Sequence, residues 1–191
     1  MTVNSESGST VLRLWLLLPR VGDALAACQD LVFSKYGITT EQWRVLVCIK
    51  SRGPLRPIDL ASMLERGPNT LSQLVDRMAK AGLVRRTRDR KDRRTVFVSM
   101  TDKGKEAVEP AVPAGWEFIH KLLSPLSYDD QRALASMLDT IKCELAGYLN
   151  PEMDKAEIVK NSLTNDPDVY KRMVKNVLPS GYEVKRKRRN N

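Results

Sequence analysis

The sequence predicts a mainly α-helical fold that carries one small two-stranded β-ribbon. Three observations predict it. Apolar residues recur at spacings of three and four through most of the 191 residues, which is the period of a helix face. Over 94–101 (RTVFVSMT) the pattern alters, with Val96, Val98 and Met100 at alternate positions, the period of a strand. Glycine and proline fall between these segments (RGP at 52–54, RGP again at 66–68, Gly82), where helices stop and start. A chain of this length suits one domain with an appendage and buries a real core.

Residues 1–9 (MTVNSESGS) are small and polar and read as a flexible start. A first helix follows over 10–36, with a stripe of Leu18, Val21, Leu25, Cys28 and Val32; Pro19 should kink it or mark its effective first turn. The run VLRLWLLLP (11–19) is too short to span a bilayer, contains Arg13 and has no basic start before it. It reads as the apolar beginning of a buried helix, and no membrane partner is expected. In 37–55, Thr40 is the expected cap, Trp43, Leu46, Val47 and Ile49 the apolar face, and RGP the stop.

A short helix, PIDLASML (57–64), precedes PNTLSQLVDRMAKAG (68–82), where Pro68 suits the first helical position and Gly82 the C-terminal stop. LVRRTRD (83–89) and RTVFVSMT (94–101) are strands joined by a charged turn. DKGKEAVEPAVPAGWEFIHKLL (102–123) is helical in period but broken by Pro110 and Pro113. YDDQRALASMLDTIKCELAGYL (128–149) is the clearest amphipathic helix, with Leu134, Leu138, Ile141, Leu145 and Leu149 on one face. In the extension 150–191, PDVYKRMVKNVL (167–178) has the period of one more helix, and KRKRRNN reads as a disordered basic tail that either adds non-specific DNA affinity or is simply solvated.

The formal net charge is +9, which favours an anionic partner. Residues 85–94 and 185–189 each carry a net +5, so the rest of the chain is nearly neutral and the excess is local. Three cysteines, Cys28, Cys48 and Cys143, lie far apart within apolar patterns; no CxxC is present, so neither a disulfide framework nor a zinc site is indicated, and a reducing cytoplasm is the easier reading. A single histidine, with no glycine-rich phosphate loop, HExxH or GxSxG, leaves little from which to build an enzyme. Neither a cofactor nor a metal is expected.

Residues 57–82 form a unit of two helices around a tight turn. In the second helix Leu71, Leu74, Val75 and Met78 make a buried seam, and Pro68, Asn69, Thr70, Ser72, Gln73 and Arg77 occupy its other faces and first turn. Any exposed helix carries polar residues. This set, however, can read base edges: Asn and Gln pair with adenine, Arg with guanine, and a threonine methyl packs on thymine. The helix runs directly into a ribbon with a cationic tip, which makes a winged module: the helix suits a major groove and the ribbon the backbone or minor groove.

The stretch DRRTVFVSMTDKG, with Asp92, Arg94, Thr95, Val98, Met100, Thr101 and Gly104, resembles the wing signature of the MarR-type winged-helix transcriptional regulators, as NTLSQLVDRMAKAGLVRR resembles their recognition helix. Thr95 and Met100 are mild departures, since Ala or Ser and Leu are commoner there. The resemblance covers residues 10–149 and is specific over 57–104. It implies that Arg94 enters the minor groove, that Asp92 holds the wing through an ion pair with a neighbouring arginine, and that Arg86, Arg88, Arg90, Lys91 and Arg93 contact phosphates. It further implies a homodimer through helices 10–36 and 105–149, and a pseudo-palindromic double-stranded DNA operator. On the same grounds the chain would be a repressor released by a small aromatic ligand, with Trp15, Tyr36, Trp43, Trp116 and His120 as candidates for that pocket or for plain packing. The oxidant-sensing cysteine of some relatives would fall near Trp15, so that pattern is absent. An activator, or a winged module used for protein contacts, is the alternative.

Overall fold

Val45, Leu46, Val47, Cys48 and Ile49 are five successive apolar residues, and all five are buried. They lie in helix α2 (Thr40–Arg52) of the computed structural model, which describes residues 5–89, 92, 94–149 and Lys175. The expected helix at 167–178 (but for Lys175), the basic tail and the wing residues Arg90, Lys91 and Arg93 lie outside the described residues. The spacing gives α2 one apolar face; the fold covers it on more sides, because α1 (Ser5–Ser34), α3 (Pro57–Met63), α5 (Asp102–Leu123) and strand β2 (Val96–Met100) all pack on it. Burial pushes the Cys48 thiol up to about 11, so it stays protonated and behaves as a small hydrophobe. The cap of α2 is Thr39, one residue before the expected Thr40. Thr39 and Gln42 form a reciprocal capping box, a spacing that Thr40 and Trp43 cannot supply. Thr40 is instead buried, and its N–H and hydroxyl both donate to Asp30 on α1.

Helix α3 and helix α4 (Pro68–Lys80) flank a turn in which Glu65 adopts φ 52°, a left-handed conformation uncommon outside glycine. Leu71, Leu74, Val75 and Met78 are buried, as their spacing requires. Gly82, at φ 76°, ends α4: its N–H reaches the Ala79 carbonyl and the Leu83 N–H the Met78 carbonyl, a glycine-terminated C-cap. Strand β1 (Val84–Arg88) pairs antiparallel with β2 in the register Val84–Met100 to Arg88–Val96. Leu55 adds a bridge on the other edge of β2, exchanging two backbone hydrogen bonds with Val98; sequence reading missed this pairing. Thr101 caps α5 by accepting from the Gly104 N–H, and its hydroxyl donates to the Gly82 carbonyl at 2.6 Å. A Cβ on Gly104 would sit 2.1 Å from the Leu83 carbonyl oxygen, so the first turn of α5 lies against the start of β1 only because that position has no side chain.

The outer helices depart most from expectation. α1 begins at Ser5, not residue 10: the polar SESGS stretch contains no proline and lengthens the helix by little more than a turn. It runs through Pro19, which is therefore not its first turn. α5 likewise continues through Pro110 and Pro113 where a break was expected, because Val108, Ala111, Val112 and Gly115 bury one side of it, and packing outweighs the missing backbone hydrogen bonds. α6 (Tyr128–Leu149) has the expected bounds, yet none of its residues is buried. The VLRLWLLLP segment is exposed too, contrary to the buried helix expected, with Trp15 at 74 %. Apart from Ile58, every large exposed hydrophobic side chain among the described residues lies between Val11 and Leu31 or between Leu122 and Leu149. Lys142 of α6 meets Glu65 in the turn between α3 and α4, at 2.5 Å, and the neighbouring Arg66 meets Glu41 of α2 at 2.9 Å.

Candidate nucleic-acid interface

The buried seam of α4 sets what the rest of that helix presents. Pro68, Asn69, Thr70, Gln73 and Arg77 are exposed and Ser72 is half-buried. Gly67 caps the helix without a side chain, so no side-chain acceptor from the cap reaches the first N–H groups of α4. That end combines an uncapped helix dipole with short polar side chains, a combination suited to a phosphate or a base edge.

The ribbon continues directly from this helix. Strand alternation puts Arg86 on the same side as the buried Val84, facing α4. Its guanidinium pairs with Asp76 at 2.9 Å and donates to the Ser72 hydroxyl at 3.2 Å, so the wing and the α4 helix share a charge network. Asp76 was not singled out from the sequence. The available signal was its position four residues after Ser72, on the same helix face. Arg85, one residue back, turns the other way and donates to Ser99. Arg88 and Arg94 are exposed.

Asp92 shapes the wing through hydrogen bonds within the turn, while Arg90, Lys91 and Arg93, among the arginines and lysines beside it, lie outside the described residues. Its carboxylate accepts from the Arg94 backbone N–H (3.0 Å) and the Thr95 hydroxyl (2.8 Å), while its own N–H donates to Asp89. The Thr95 hydroxyl first, then the Arg94 N–H, hold this carboxyl below the usual carboxylate range. A short acceptor that folds back on nearby backbone groups is what an Asp turn provides. The Thr95 N–H and carbonyl bond the Asp92 carbonyl and the Asp89 N–H, closing the loop.

Trp43 lies against Gly115 of α5, the residue before Trp116, and Trp116 in turn meets His120. Trp15 lies on the exposed part of α1. Tyr36, Trp43 and Trp116 pack partly buried against the core, with Trp43 stacked on Phe33 at 4.4 Å between ring centres. His120 is exposed one turn from Trp116, their rings 5.5 Å apart. The Trp43 Nε1–H is buried without an acceptor.

Comparison with known proteins agrees with this geometry. The model of the MarR family matches residues 38–96, which span α2, the α3–α4 pair and the start of β2. The transcriptional regulator PecS of Dickeya dadantii is 29% identical over 131 residues, covering 67% of this chain and 79% of PecS. The transcriptional regulator MgrA of Staphylococcus aureus is 30% identical over 110 residues, 58% of this chain and 74% of MgrA. Among solved structures, a mutant MarR from E. coli complexed with operator DNA superposes with a TM-score of 0.63 at 24% identity, over 69% of this chain and 95% of that one, a likeness of fold. Among the described residues no helix is long and apolar enough to cross a membrane. With a helix-turn-helix pair, an arginine-bearing ribbon and relatives that regulate transcription rather than catalyse reactions, the chain belongs to the MarR family of DNA-binding transcriptional regulators.

Proposed function

We propose that the protein is a cytoplasmic homodimeric repressor that reads a pseudo-palindromic operator and leaves it when a small aromatic ligand binds. The observation that carries the reading is the continuous surface of α4 and the ribbon, with Asn69, Thr70, Ser72, Gln73 and Arg77 on the helix and Arg88 and Arg94 on the wing. Pro68 and Asn69 bring the helix dipole to a phosphate, Gln73 and Arg77 read base edges, and Arg94 enters the minor groove. One helix in one groove covers too few base pairs to be selective, so two protomers about 34 Å apart are needed. The exposed apolar faces of α1 and α6 supply the surface that joins them. Ligand release requires that the ligand prefer the dimer form with the wrong helix spacing. The buried, unpartnered Trp43 Nε1–H favours an aromatic ligand carrying an acceptor at that position.

Selection of bound duplexes from a random DNA pool tests this. Enriched sequences should contain two inverted half-sites one helical turn apart. Enrichment of single, unpaired sites would contradict the dimer, and no enrichment over bulk DNA would contradict the function.

A further inference from the structure

Asp76 is an acid in the middle of the helix that faces an acidic polymer, and an unpaired carboxylate there would repel phosphates. It is not unpaired. Arg86 crosses from β1 to meet Asp76 at 2.9 Å, and the same guanidinium nitrogen donates to the Ser72 hydroxyl at 3.2 Å and approaches the Ser72 carbonyl at 3.4 Å. Ser72 and Asp76 stand one helical turn apart on the side of α4 that the ribbon overlooks.

A serine hydroxyl has one proton to donate and two lone pairs. An arginine N–H on one lone pair directs the proton elsewhere and polarises the O–H bond, which strengthens it as a donor. The nearby positive charge also disfavours a second donor approaching the same oxygen. In the major groove, guanine N7 and O6, adenine N7 and thymine O4 accept, whereas cytosine presents only its amino donor. We propose that Arg86 is a positioning residue for base reading and not a phosphate contact: Asp76 clamps its guanidinium to α4, and the guanidinium fixes the Ser72 hydroxyl as a donor that selects a base edge bearing an acceptor and rejects cytosine there. This rests on the proposed reading of DNA by α4.

The test uses the full-length protein and the operator selected from the pool, with each base pair of one half-site varied in turn. Ser72→Ala and Arg86→Ala should both relax preference at the same base pair, each losing about tenfold in discrimination, the scale of one hydrogen bond. The double substitution should lose no more than either alone, because the two act as one unit. Removing the pair whole, as Arg86→Ala with Asp76→Asn, should leave the slope of log affinity against log salt within a few tenths of wild type, since the two charges cancel. Asp76→Asn should relax the same base pair and steepen the slope by up to about one, as the released guanidinium turns to a phosphate. If Arg86→Ala does not fold, as judged by circular dichroism, Arg86→Lys replaces it: lysine keeps the charge without the planar fork that holds both partners. An Arg86 variant that flattens the slope by about one while base preference stays intact overturns the inference, and so does a Ser72→Ala protein with wild-type selectivity. A wild-type protein that prefers no duplex overturns the reading of α4 itself.

Discussion

Gly104 has a structural task that only the packed molecule shows. An added methyl would approach the Leu83 carbonyl oxygen to 2.1 Å and the Met100 side chain to 2.9 Å, so the backbone at Leu83 or the first turn of α5 has to move to admit it. Gly104→Ala should therefore cost about 2–3 kcal/mol of folding stability, measurable as a lowered midpoint in denaturant titration. The glycine and Thr101 are visible in the sequence as part of a family signature, but their reason is not, because Leu83 lies far back along the chain. Asp92 gives a pH prediction. Its pKa is depressed on folding, so its contribution is complete above the unfolded value of about 3.9 and is lost as the pH falls through the lower folded value. The amide signals of Arg94 and Thr95 should shift in that acid range and stay constant from pH 5 to 8, and Asp92→Asn should abolish the transition. Arg94 is exposed and free to reach outward. Arg94→Ala should flatten the dependence of log affinity on log salt by about one, as measured by fluorescence anisotropy from 50 to 200 mM salt.

At the level of elements, periodicity located α2, α3, α4, the two strands and α6 because each has a regular apolar spacing and a distinct stop signal. It failed at the prolines. Pro110 sits on the exposed side of α5, where the carbonyl one turn earlier loses its intrahelical partner to water, while the opposite side packs against the core. Pro110→Ala should restore that bond and raise stability by about 1 kcal/mol, seen as a higher melting temperature. A fall in melting temperature would mean that the proline ring itself packs productively. The Leu55 bridge escaped notice because one residue leaves no alternating pattern to read. The Asp76–Arg86 pair was equally hidden, since a helix period and a strand period must be superimposed before the two residues meet. The exposed polar side of α4 was legible, since its residues are short-range features of one helix.

At the scale of the whole molecule, the amphipathic stripes of α1 and α6 were legible but their burial was not, because a single chain leaves them uncovered: Leu138 and Leu145 are 46% and 57% exposed. Leu138→Lys should convert the proposed dimer to monomer in analytical ultracentrifugation and lower operator affinity at least tenfold while leaving the melting of the winged module nearly unchanged. Retention of a dimer would move the interface elsewhere. Lys142 gives this association a mechanical meaning. It grips Glu65 from α6, and Glu41 grips Arg66 from α2, so the turn that aims the reading helix is moored from two directions. A helix of 22 residues is a lever roughly 33 Å long. A pivot of roughly 5° at one end swings the other by roughly 3 Å, almost the rise of one base pair. In the proposed dimer, whatever nudges the seam between two protomers would pass through Lys142 to the turn before α4.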